Sequence, residues 1–165
     1  MDRRLFLLTA LALLGVSACG SVPPLSNAYD SPDDLAKAVL DALARADRAR
    51  LEQLALNERE FRDHVWPQLP AARPERNLPL SYVWGDLHQK SEQTLQRTLA
   101  RYGGRRLELV NVTFERESDY TTYRVHRETT FTVRDASAAQ STIRVCGSMF
   151  EKDGAWKVFS YMVDE

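Results

Sequence analysis

The 165-residue chain is poor in several things, and each scarcity excludes something. Cysteine occurs only at positions 19 and 146, so no disulfide framework can hold the fold. The three histidines, His64, His88 and His126, stand far apart and match no metal-ligand spacing, which argues against a zinc site. Charge of one sign is missing too. With 22 basic and 23 acidic side chains the formal net charge is −1, without the electrostatic footprint of a nucleic-acid partner. None of the seven glycines builds a phosphate-cradling loop or a Gly-x-Ser-x-Gly elbow. Beyond residue 18 no apolar run approaches the roughly 20 residues that cross a bilayer.

What is present begins at the N-terminus. Arg3 and Arg4 precede an apolar stretch from Leu5 to Leu14, and Gly15, Ser17 and Ala18 lead to Cys19. A positive end, a short apolar core and a small-residue exit are the parts of an export signal. Val16-Ser17-Ala18-Cys19 resembles the lipobox of bacterial lipoproteins. The resemblance implies that residues 1–18 are removed and that Cys19 carries several acyl chains, enough for a stable tether. A retained membrane span and an ordinary cleaved signal peptide are the alternatives. Gly20 stands where an Asp commonly retains a Gram-negative lipoprotein in the inner membrane, so the resemblance points to the outer membrane, facing the periplasm. Arg3-Arg4-Leu5-Phe6-Leu7 is also similar to a twin-arginine export signal, departing from it at Asp2 and Leu8. The scarcity of lysine beside abundant arginine fits a GC-rich bacterial genome.

The 147 residues from Cys19 onward suit one domain with its own core. With Cys19 acylated, Cys146 is the sole thiol, and its strand-like setting between Val145 and Gly147 predicts a buried small hydrophobe. Residues 19–30, containing Pro23, Pro24, Ser26 and Asn27, read as a linker, and 31–165 as a single domain. Ser31 with Pro32 predicts a helix start, followed by an apolar stripe through Leu35, Val39 and Leu43. Asp47 predicts a second short helix, and Asn57 with Glu60 a third. Pro67, Pro70, Pro74 and Pro79 predict loop, with a long helix over Ser81 to Tyr102 stopped by Gly103-Gly104. Four strands are expected afterwards, at 105–115, 120–134, 141–151 and 155–164, with a tight turn at Lys152-Asp153-Gly154. The fold class is therefore α+β, with helices packed on one face of a curved antiparallel sheet.

The final stretch from Val145 to Tyr161, with Glu151-Lys152-Asp153-Gly154 before Trp156-Lys157-Val158, resembles the last hairpin of nuclear transport factor two-like domains. That resemblance implies a cone whose curved sheet wraps a pocket. The superfamily hosts enzymes and binding modules alike, so the fold assigns no activity.

On the long helix Trp84, His88 and Glu92 recur at four-residue spacing beside Ser91. This pattern predicts a polar pocket wall in which Glu92 orients His88 for proton exchange; the competing reading is a solvated rim. On the second strand Arg124, His126 and Glu128 share one face, while Tyr123, Val125, Arg127 and Phe131 share the other. The charged face predicts solvent exposure, and His126 lines a pocket only if the concave face is the polar one. Trp66 is a candidate partner anchor, or else a plug at the end of the core.

These residues call for no metal and no cofactor. The leading expectation is a membrane-anchored, non-enzymatic envelope module that binds a protein partner or a small apolar ligand. One alternative is a small isomerase- or dehydratase-like enzyme using His88 and a carboxylate. The other is a structural lipoprotein that assembles as a homodimer.

Overall fold

Ser31 opens the first helix as its sequence suggests. In the computed structural model, which describes residues 22–162, its side chain accepts a hydrogen bond from the Asp34 N–H at 3.1 Å. Residues 1–21, with the segment expected to be an export signal and Cys19, lie outside the described residues. Helix α1 (Pro32–Ala44) buries Leu35, Val39, Leu40 and Leu43 on one stripe. Asp47 caps α2 (Arg48–Leu54), and Asn57 and Glu60 form a reciprocal capping box on α3 (Glu58–Glu60). The chain then enters a π-helical turn, Phe61–Val65, that buries Phe61, His64 and Val65. The proline-rich stretch is more regular than expected. Pro67, Pro70 and Pro74 each sit in the first turn of a short 3-10 helix, where a missing N–H costs nothing. Helix α4 (Leu80–Tyr102) ends at Gly103, where an added Cβ would lie 2.5 Å from the Leu99 carbonyl oxygen.

The second half is antiparallel throughout, in two sheets. Strands β1 (Glu108–Thr113), β4 (Thr130–Arg134) and β5 (Gln140–Ile143) form one, in the order β1-β4-β5. Strands β2 (Arg116–Asp119), β3 (Arg124–Arg127), β6 (Ser148–Lys152) and β7 (Ala155–Ser160) form the other, in the order β2-β3-β6-β7. Asp153 and Gly154, both at positive φ, make the predicted tight turn between β6 and β7.

Four expected strands became seven for an identifiable reason. The segments 120–134 and 141–151 pair along most of their length, β3 with β6 and β4 with β5, and both bend at the same level. Glu128, at φ 55°, turns the first, and Arg144–Gly147 carries the second across. The two segments stay joined there through the Thr129 N–H and the Gly147 carbonyl at 3.2 Å. A residue at positive φ also resets the alternation of faces. Val125 packs with Phe61, Val65 and Phe150, whereas Phe131 packs with α1 in the other cluster.

The four-stranded sheet consequently has helices on both faces rather than one. Met149 and Val158 face the cluster built on Leu35, Val39 and Leu43, while Val125 and Phe150 face Phe61 and Val65. The segment expected to be linker is partly attached. Tyr29 exchanges backbone hydrogen bonds with Trp156 at 2.9 and 2.7 Å, and Ser26 donates to Glu60 from both N–H and hydroxyl at 2.8 Å.

Candidate functional site

Helix α4 brings together the residues that its spacing singled out. Trp84, His88, Ser91 and Glu92 line one cleft of ≈ 400 Å³, closed on its other side by the 52–58 segment and by Phe159 and Tyr161. Trp84 is wedged between two rings. It packs on Phe61 at 5.2 Å between centroids and stacks on His88 at 5.3 Å with an interplanar angle of 16°. Ser91 is buried, and its Oγ accepts the Tyr161 N–H at 3.0 Å. The Tyr161 hydroxyl donates to the Leu51 carbonyl at 2.6 Å, and burial pushes its pKa well above the ordinary value. Neither group is therefore a ready proton donor to the cleft.

The expected pairing of His88 with Glu92 is not formed. Glu92 is taken by Arg48, which also holds Glu52 at 2.6 Å. The guanidinium reaches across from α2 and neutralises the carboxylate that a proton-transfer pair would need, leaving His88 exposed and stacked. Glu52 and Glu58 add further carboxylates to the lining, and Glu58 forms no ion pair among the described residues. The exposed His88 ring, backed by the indole and lying beside carboxylates, suits a cationic or flat group with an apolar body. Arg48, Glu52 and Glu58 were not foreseen because they meet α4 only through the tertiary fold.

Comparison with protein-family models, with curated proteins and with solved structures finds no match. The chemistry of the sites therefore rests on their geometry.

His126 corrects both readings of its strand. It does not line the α4 cleft and is not solvated: the residue is 4 % exposed. Its Nδ1 lies 3.1 Å from Glu117 and its Nε2 2.8 Å from Glu151, while Phe114 and Trp156 cover the ring at centroid distances of 4.8 and 4.6 Å. The aromatic lid, contributed by residues distant in sequence, removes a position on the charged face from water. His126 acts as a strut joining β2, β3 and β6. Trp66 is half-buried and packs against the Phe61–Tyr123 cluster. His64 is buried and accepts from Lys152 at 3.1 Å, with burial and the neighbouring ammonium lowering its pKa. Cys146 is fully buried, as its strand context predicts, and burial pushes its thiol up to about 12.

The least expected ionic group lies behind the cleft. Lys157, 1 % exposed, donates to Glu60 at 2.8 Å, and Glu60 also accepts from Ser26 and from the Asn57 N–H. Burial tends to raise the Glu60 pKa, but these donors outweigh it and hold the carboxyl below its ordinary value. The pair fixes three things at once: the sheet, the α3 cap and the docked N-terminal segment. Among the described residues no three His, Cys, Asp or Glu side chains are grouped to hold a metal, and no helix is long and apolar enough to cross a membrane.

Proposed function

We propose that this chain is a lipid-anchored binding module of a bacterial envelope, tethered through Cys19 to the outer membrane and facing the periplasm. Its cleft beneath α4 receives a cationic or flat group of a small ligand or protein partner. The observation that carries the binding reading is the Arg48–Glu92 ion pair. It withdraws the carboxylate that His88 would need for proton transfer while leaving the Trp84–His88 stack open as a contact surface. The export signal and lipobox carry the anchor. Ser26 is held on Glu60, so only residues 20–25 intervene between the acylated cysteine and the docked chain. Fully extended, that is about 20 Å, which keeps the domain close to the bilayer.

The test is in-cell photo-cross-linking from position 58 on the cleft rim, followed by mass spectrometry. A specific envelope adduct is expected, together with release of the Cys19→Ala variant from membranes and loss of acyl mass. Unchanged membrane fractionation of Cys19→Ala contradicts the anchor. Failure to form any adduct specific to position 58 contradicts the binding role of the cleft.

A further inference from the structure

A second pocket, of ≈ 290 Å³, opens where the two bent strands pass from one sheet to the other, apart from the α4 cleft. Its floor contains a polar atom without a strong hydrogen bond among the described residues. Thr129 is 1 % exposed, and among the described residues its Oγ1 makes no hydrogen bond of good geometry, with only the Cys146 thiol within reach as a weak partner. Buried hydroxyls are nearly always paired because a stranded one destabilises the fold, so each exception asks for an explanation. Cys146 beside it contributes a soft, unreactive wall.

The lining combines cationic and apolar side chains. Arg116 pairs with Glu128 at 3.1 Å and Arg144 with Glu115 at 2.6 Å, whereas Arg127 forms no ion pair among the described residues. Among the described residues Glu128 is the only carboxylate in the lining against these three guanidinium groups. Beside them in the lining stand Val125, Phe159 and Tyr123, the last stacked on Tyr120 at 4.4 Å. Glu128 also holds φ at 55°, a conformation uncommon outside glycine that persists only where its surroundings impose it. Arg127 thus lies at the last position of β3, immediately before the bend, and Thr129 immediately after it.

We propose that this seam pocket binds a small organic anion with an apolar body, of the carboxylate class. The carboxylate meets Arg127 and takes the Thr129 hydroxyl as a donor, and the apolar body lies against Tyr123 and Phe159. Arg116 and Arg144, each already tied to one carboxylate, supply the surrounding positive field. The site goes beyond the α4 cleft and selects the opposite charge.

Calorimetric titration of the folded protein with octanoate, and with 1-octanol as its uncharged counterpart, tests the assignment. Octanoate is expected to bind about tenfold or more tightly than octanol, and Arg127→Gln to weaken it about tenfold, while Arg73→Gln on the proline-rich segment leaves it unchanged. Thr129→Val is expected to weaken octanoate by roughly threefold to tenfold while raising Tm, a pairing that a purely structural hydroxyl would not show. Equal binding of octanoate and octanol, or undiminished octanoate binding by Arg127→Gln with a native circular dichroism spectrum, overturns the proposal. Binding to phosphatidylglycerol vesicles without any binding of octanoate overturns it also, because the arginines would then be a surface for lipid headgroups. None of these readouts involves the α4 cleft, so a negative result leaves that reading standing.

Discussion

Phe159 separates two concavities of opposite character. On one side the α4 cleft presents Trp84 and His88 beside Glu52, Glu58 and Glu92; on the other the seam pocket presents Arg116, Arg127 and Arg144 beside Tyr123. The difference extends to their hydrogen bonding. The buried hydroxyl of the cleft, on Ser91, has a backbone partner, whereas the buried hydroxyl of the seam, on Thr129, has among the described residues only the weak Cys146 thiol beside it. A near-zero net charge thus conceals two local fields of opposite sign, and global charge balance says little about what a domain this size can bind.

The contrast between the two concavities is most sensitive to the buried Lys157–Glu60 pair. Lys157→Met strands the Glu60 carboxylate and is expected to cost about 3–5 kcal/mol in urea unfolding. Hydrogen exchange should rise first around α3 and the docked Ser26, on the cleft side. The same pair sets an acid limit. The folded-state pKa of Glu60 lies below its ordinary 4.5, so its contribution is complete above that value and is lost as pH falls through the lower folded-state value. Stability measured against pH should therefore fall less steeply in acid for Glu60→Gln than for the native chain.

Removing the shared wall is the next largest change. Phe159→Ala is expected to cost about 3 kcal/mol and to weaken probes of both concavities together. Smaller and more diagnostic is the contrast between the two hydroxyls. Ser91→Ala strands the Tyr161 N–H and should cost about 1–2 kcal/mol, whereas Thr129→Val removes a poorly satisfied hydroxyl and should add up to about 1 kcal/mol. Equal signs would erase the distinction between a satisfied and an unsatisfied site. The smallest effect belongs to His88→Ala, which should change urea stability by less than about 0.5 kcal/mol because the ring is exposed.

The asymmetry between the two sites also explains what could be read from the chain. The cleft wall lies on one continuous helix, so Trp84, His88, Ser91 and Glu92 announced themselves by four-residue periodicity. Helix starts at Ser31, Asp47 and Asn57 were equally legible, because capping chemistry is local. Pairing of Glu92 with Arg48 was not, since 44 positions separate the partners. The seam escaped for a different reason. Glu128 adopts positive φ without the glycine or asparagine that usually marks such a position, so the first segment read as one long strand. The assumed alternation then assigned Phe131 to the face of Val125, and His126 to solvent. Its aromatic cover comes from Phe114 and Trp156, which no local pattern links to it.

The most direct test of two chemically opposed sites is a two-probe NMR titration of the 15N-labelled domain. Octanoate should shift the amides of Thr129 and Gly147 and leave the Trp84 indole N–H in place. Octylammonium should do the reverse, moving the Trp84 indole and the amides around Glu58. Two disjoint sets of shifts are the predicted result. A single common set for both probes, or octanoate shifts centred on α4, would contradict the account.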